Sequence, residues 1–232
     1  MSTHPIPASS PASFKPARRI NRALTASVEK RALQWMATRL PTWVTSDQLT
    51  VLGLTAQFSA GLSYAWSRHH PYALLIAILC LALNWFGDSM DGTLARVRNQ
   101  LRPRYGFYVD HMMDILGSIA LMCGLGCSGF LHWQTAIAML TAFLLLSSES
   151  YLATYTLSQF QLSQGIFGPT EIRVLLAVGT LALLRSPYST LFHHRMLLFD
   201  LGGTIASICM FAAALSLTAR HAAQLYREEP LA

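Results

Sequence analysis

The sequence predicts an all-α integral membrane bundle of six transmembrane helices, preceded by an N-terminal amphipathic interfacial helix. Three observations carry that expectation. Of 232 residues, 53% are hydrophobic and only 12% are charged, about half of the roughly 25% that covers a soluble domain. Six apolar stretches succeed one another at about 49–67, 72–95, 105–130, 133–158, 170–185 and 196–219. Each reaches or approaches the roughly 20 residues that cross a hydrocarbon core. No run of alternating polar and apolar residues is long enough for barrel strands.

The elements follow in order. Residues 1–20 are rich in Pro, Ser and Ala, lack the apolar core of a signal peptide, and read as a flexible tail. Residues 21–46 read as an amphipathic membrane-surface helix and linker. Leu24, Val28, Leu33, Trp35, Met36 and Leu40 recur at helical spacing, while Arg22, Glu29, Lys30, Arg31 and Arg39 take the remaining surface. Residues 47–220 hold the six spans, the fifth being the shortest, and 221–232 read as a C-terminal tail.

Charge sets the orientation. With a cytoplasmic N-terminus, that side holds Lys15, Arg18, Arg19, Arg22, Lys30, Arg31, Arg39, Arg96, Arg98, Arg102, Arg104, Arg173, Arg220 and Arg227. The opposite side keeps Arg68, Arg185 and Arg195. The bias places both termini in the cytoplasm of a multi-pass protein of a bacterial-type inner membrane or its equivalent. The net charge of +6 then reports loops pressed against anionic lipid, and nucleic acid is not expected as a partner. Cys80, Cys123, Cys127 and Cys209 lie in apolar stretches without metal-site spacing and read as packing residues.

Acidic residues inside a membrane are functional candidates, and four gather within one hairpin. Asp88 and Asp91 share a face of the second span; Asp110 and Asp114 share a face of the third. Counting about 1.5 Å per residue from Pro71, Asp88 lies roughly 26 Å across, at the cytoplasmic boundary. Converging carboxylates need countercharge. Their oxygens suit hard divalent cations, Mg²⁺ or Mn²⁺, and four carboxylates can hold two ions. The plainer alternative is a set of salt bridges to Arg96, Arg98, Arg102 and Arg104.

The run from Asp88 through Asp91, Gly92, Ala95 and Arg96, followed by Gly106, Asp110 and Asp114, reads D-x-x-D-G-x-x-A-R, a short spacer, then G-x-x-x-D-x-x-x-D. It resembles the signature of the CDP-alcohol phosphotransferase (CDP-alcohol phosphatidyltransferase) family at all eight fixed positions. The resemblance implies a divalent-metal-dependent enzyme of phospholipid synthesis, which moves a phosphoryl-linked group from a CDP-linked donor to an alcohol and releases CMP. It gives Asp88, Asp91, Asp110 and Asp114 the metals. Asp88, Gly92, Ala95, Arg96 and Gly106 become donor-contacting residues, Arg96 pairing with the pyrophosphate. For the glycines, close helix packing is the alternative.

His111, between Asp110 and Asp114, makes the motif similar to the choline/ethanolamine phosphotransferase branch, and Thr170-Glu171 echoes that branch too. The resemblance implies His111 as the base that deprotonates the acceptor, oriented by Glu171, with Asp114 as rival base. Glu171 is equally a favourable charge at a helix N-terminus. Around Thr45-Ser46-Asp47-Gln48-Leu49-Thr50 the chain departs from the family's Thr-Pro-Asn-x-x-Thr, and Ser46 and Asp47 read as the helix cap.

The reading that follows is transfer from CDP-choline or CDP-ethanolamine to a lipid hydroxyl such as diacylglycerol. The alternative reverses the lipid: CDP-diacylglycerol donates phosphatidyl to a polar alcohol. A phosphorylated acceptor would need a basic pocket, toward which only Arg173 is placed. A cation transporter is the remote third reading. Glu149 either lines the acceptor entrance or joins a buried polar network, and Asp200, His193 and His194 fall on the far side. Family members are typically homodimers, a contact that Gly202-Gly203 and Ala212-Ala213-Ala214 could support.

Overall fold

The computed structural model describes residues 18–20, 25–161, 168–191 and 194–229. Among them are seven helices: α1 (Ala26–Ala37), α2 (Ser46–Ser67), α3 (Ala73–Val97), α4 (Pro103–Ser128), α5 (Trp133–Leu157), α6 (Pro169–Arg185) and α7 (Leu198–Glu228). Two small strand pairs complete the described chain. β1 (Arg18–Ile20) runs parallel to β2 (Gln159–Gln161), and β3 (Tyr188–Leu191) pairs antiparallel with β4 (His194–Leu197).

Each of the six apolar stretches is a helix. Four of them, α3, α4, α5 and α7, are long and apolar enough to cross a membrane. The α2 helix falls outside that set because polar side chains run along its buried face, Gln57, Ser63 and Ser67 among them. The α6 helix has 17 residues, about 25 Å at 1.5 Å per residue. Leu62, Leu79, Ile137, Leu152, Ile208 and Leu215 all stand exposed. That outer surface suits lipid, where apolar contact carries no penalty.

Residues 1–17, most of the expected flexible tail, and 21–24 lie outside the described residues, but Arg18–Ile20 form a strand. The boundary at residue 221 falls inside α7, which continues to Glu228, and 230–232 lie outside the described residues. The cap of α2 is Thr45 rather than Ser46 or Asp47. Its hydroxyl accepts from the Gln48 N–H at 3.2 Å while its own N–H donates to Gln48 Oε1 at 2.8 Å, a reciprocal capping box.

Glycine sets the spacing of the central helices. A Cβ on Gly87 of α3 would lie 2.6 Å from both the Gly53 nitrogen and the Leu49 carbonyl oxygen of α2. Farther along α2, Gly61 meets Gly124 and Ala120 of α4 in the same way. Backbones that touch at small residues pack by dispersion and carbonyl contact, which lipid cannot replace. The hairpin α3–α4 is thus pressed onto α2 at both ends. On the other flank, Gly203 of α7 lies against Met139 and Thr135 of α5, and Ala214 is 1% exposed. Of the small residues named for a homodimer contact, Gly203 and Ala214 are buried within the chain, whereas Gly202 and Ala212 are exposed.

Replacing Gly87 with Ala drives a methyl group into backbone, so overpacking should cost about 1–3 kcal/mol. The thermal midpoint in detergent should drop for Gly87→Ala. It should hold or rise for Gly202→Ala, whose added methyl meets nothing within 4 Å.

Candidate active site at the aspartate cluster

The i, i+3 and i, i+4 spacings do what helical geometry requires. Asp88 and Asp91 on α3 and Asp110 and Asp114 on α4 line one recess, together with Thr50, Gly53 and Gln57 of α2 and Asn84 of α3. Asp88, Asp110 and Asp114 each offer a carboxylate oxygen within 4.8 Å of the others. The free space among them is about 10 Å³, room for one ion or water. An all-carboxylate donor set of this size fits a hard divalent cation. Asp91 shares the wall with a different set of contacts: Thr50 Oγ1 donates to its Oδ2 at 2.6 Å and the Gly92 N–H donates to its Oδ1.

The positive partner of the cluster comes from α6. Arg173 Nη2 donates to Asp88 Oδ2 at 2.6 Å, and its Nε donates to Asn84 Oδ1 at 2.8 Å. Asn84 in turn donates to the Gly53 carbonyl at 2.9 Å and to Gln57 Oε1 at 3.2 Å. The loop arginines include two with other destinations. Arg102 pairs with Asp47, and Arg98 donates to the carbonyls of Leu40, Pro41 and Val44. Those two loop arginines are therefore not the aspartates' countercharge, and the ion pair that Asp88 makes is with Arg173 of α6.

Gly92 and Gly106 answer the packing alternative. A Cβ at Gly106 would meet nothing within 4 Å, and one at Gly92 only the Arg96 guanidinium, at 3.6 Å. Neither glycine is required by helix contact. Gly92 stands in the interior of α3, where Gly costs about 1 kcal/mol relative to Ala, and Gly106 in the first turn of α4. The Arg96 head lies over Gly92 and is exposed, as is Gly106, while Ala95 is buried.

His111 sits beside the recess, outside its wall. Its Nδ1 donates to the Phe107 carbonyl at 2.6 Å, which puts the lone pair on Nε2. The ring is buried against Phe107 and Tyr151, with centroids 4.2 and 4.8 Å away. Its Nδ1 is 3.8 Å from Asp110 Oδ2. The structure does not bring Glu171 to it. Glu171 Oε1 accepts from the Thr25 N–H at 2.8 Å and the Thr25 hydroxyl at 2.7 Å, and Oε2 accepts from the Gly168 N–H at 3.0 Å. That is a helix-start carboxylate, the second of the two roles its position allowed.

Residues 43–219 match the family model of CDP-alcohol phosphatidyltransferase. The chain belongs to that family. It is a family of transferases that move phospho-alcohol groups, which agrees with the aspartate signature. Over 120 residues the chain is also 25% identical to an archaetidylinositol phosphate synthase of Pyrococcus horikoshii, a match covering 52% of this chain and 57% of that relative. The chain thus spans little more than half the relative's length.

Other candidates resolve as structural contacts. Glu149 is buried in the α5–α7 interface with its Oε1 2.5 Å from His221 Nδ1, the polar-network alternative. Asp200 accepts from the His132 N–H at 2.9 Å and pairs with the His132 ring; His194 is exposed on β4, and His193 lies outside the described residues. Sequence reasoning passed over Asn84 and Gln57, and quoted Thr50 only as the end of the segment that departs from the family pattern. Asn84 stands one turn before Asp88 on the same face, a spacing that could have flagged it.

If ligand approach is what keeps Gly106, Gly106→Ala should raise the thermal midpoint through helix propensity, by about 1 kcal/mol, while raising KM for the CDP donor. A gain in stability with an unchanged KM would show that the position has no such role.

Proposed function

We propose that this transferase moves a phosphatidyl-type group from a CDP-linked lipid to a polar alcohol, releasing CMP. The observation that carries the reading is the three-carboxylate donor set of Asp88, Asp110 and Asp114 within one helical hairpin, in a chain of this family. The name of the Pyrococcus relative, an archaetidylinositol phosphate synthase, supports this direction, in which a CDP-linked lipid would meet a polar alcohol such as an inositol phosphate. Support for the choline/ethanolamine direction rested partly on Glu171, whose contacts with Thr25 and Gly168 give it another occupation.

In the reaction, the acceptor hydroxyl oxygen bonds to the lipid-side phosphorus of the donor. The bond from that phosphorus to the CMP oxygen breaks, CMP departs with the electron pair, and the hydroxyl proton goes to a base. Asp88, Asp91, Asp110 and Asp114 would hold Mg²⁺ or Mn²⁺, which neutralises charge growing on the leaving phosphate. Asp114 is our candidate base because it lines the recess, whereas the His111 ring is packed outside that wall. Gly92 and Gly106 leave room for the nucleotide, with Arg96 above Gly92 reaching its phosphates. Arg173 keeps Asp88 aimed at the recess.

We infer that all six helices α2 to α7 span the bilayer, with the aspartates and both termini on the cytoplasmic side, as the positive charges require. The α1 helix then lies along the membrane surface. Its exposed Val28 and Trp35 enter the interface, and Lys30, Arg31 and Arg39 meet the headgroups.

Purified protein with Mg²⁺ should release CMP from CDP-diacylglycerol plus a polar alcohol such as inositol phosphate. It should not do so from CDP-choline or CDP-ethanolamine plus diacylglycerol. Loss of the base should cost about 10²- to 10⁴-fold in turnover for Asp114→Asn, and far less for His111→Ala. CMP release confined to the CDP-amino-alcohols would reverse the assignment, and a larger loss at His111 would move the base there.

A further inference from the structure

Glu29 was expected on the water-facing side of a surface helix. It instead heads the protein-facing stripe of α1, one turn before Leu33 and two before Ala37, both buried. Its Oε1 accepts three hydrogen bonds from two other helices. Trp85 Nε1 donates at 2.8 Å and Ser89 Oγ at 3.1 Å, both from α3, and Thr170 Oγ1 donates at 2.8 Å from α6.

The positions of these donors matter. Trp85 and Ser89 each directly follow Asn84 and Asp88, the two residues that Arg173 grips. One turn of α3 is therefore held along two adjacent stripes, by Arg173 from α6 and by Glu29 from α1. Thr170 lies three residues before Arg173 on the same face of α6. The two helix starts also exchange carboxylates. Glu171 of α6 holds Thr25 at the start of α1, and Glu29 of α1 holds Thr170 at the start of α6. A charged acceptor makes each such bond stronger than its neutral counterpart.

We propose that Glu29 is a positioning residue for the reaction at the aspartates, pinning α6 to α3 so that Arg173 stays on Asp88. The inference rests on the transferase reading above. It makes α1 a working part of the site, because Glu29 ties α3 to α6 one residue along from the positions that Arg173 holds.

The experiment compares Glu29→Ala, Glu29→Gln, Arg173→Ala and the double variant Glu29→Ala/Arg173→Ala, measuring CMP release and hydrogen exchange. Small misplacements of a site cost on the order of 10- to 100-fold, so Glu29→Ala should lose that much kcat with KM nearly unchanged. Glu29→Gln keeps the accepting oxygen and should recover most of the rate. Because Glu29 acts through Arg173, the double variant should be no slower than Arg173→Ala alone. A silent Arg173→Ala, a Glu29→Ala rate within twofold of wild type, or losses that multiply in the double variant would overturn the proposal. Should Glu29→Ala fail to fold, Ser89→Ala/Thr170→Val removes two of the three donors and carries the same expectations. If wild type releases no CMP from any donor, the transferase reading fails by itself. The pin is then judged by exchange alone: first-turn amides of α1 and α6 exchange faster in Glu29→Ala, and unchanged exchange refutes it.

Discussion

Three carboxylates within 4.8 Å of one another repel, and the rest of the molecule is arranged against that repulsion. Carboxylates this close oppose one another's ionisation. Two features hold the arrangement. Backbone contact at Gly53–Gly87 and at Gly61–Gly124 fixes α2, α3 and α4 so closely that the aspartate-bearing turns cannot splay apart. Arg173 adds a positive charge on Asp88, oriented by Asn84. A divalent cation held among these carboxylates would relieve that repulsion, which is the physical ground for the proposed metal site.

The location of the recess follows from the same constraint. Carboxylates at the bilayer centre would be desolvated at high cost, whereas on the proposed topology the end of α3 and the beginning of α4 would set them where lipid meets water. Such a border would suit the proposed CDP-linked lipid donor, whose nucleotide is hydrated and whose chains are not. Gly92 and Gly106 sit at that border without packing neighbours. The α1 helix packs through Leu33 and Ala37, and its Glu29 makes polar contacts to α3 and α6 at once.

Much of this was legible in the sequence where the signal is periodic. Six apolar stretches became six helices. The four aspartates converge because their spacing puts them on facing stripes of a hairpin. What periodicity cannot carry is the partner of a polar side chain on a helix distant in sequence. Glu29 looked like one more surface charge on an amphipathic helix, and Glu171 looked like a companion for His111. Both are instead bound across the start of α6, a contact between residues about 140 positions apart that leaves no mark in either segment. The strand formed by Arg18–Ile20 with Gln159–Gln161 has the same origin. His111 was singled out by adjacency to Asp110, yet adjacent helix residues point about 100° apart, and its ring packs on Tyr151 beside the recess.

The central claim is that the aspartate recess is a divalent-cation site built by the α3–α4 hairpin. Titration of purified protein with Mn²⁺, followed by electron paramagnetic resonance without any donor, tests it most directly. Saturable binding should weaken at least about tenfold in Asp110→Asn and in Asp114→Asn. It should be unaffected by Asp47→Asn, whose carboxylate pairs with Arg102. Mn²⁺ binding that survives both cluster substitutions would contradict the account.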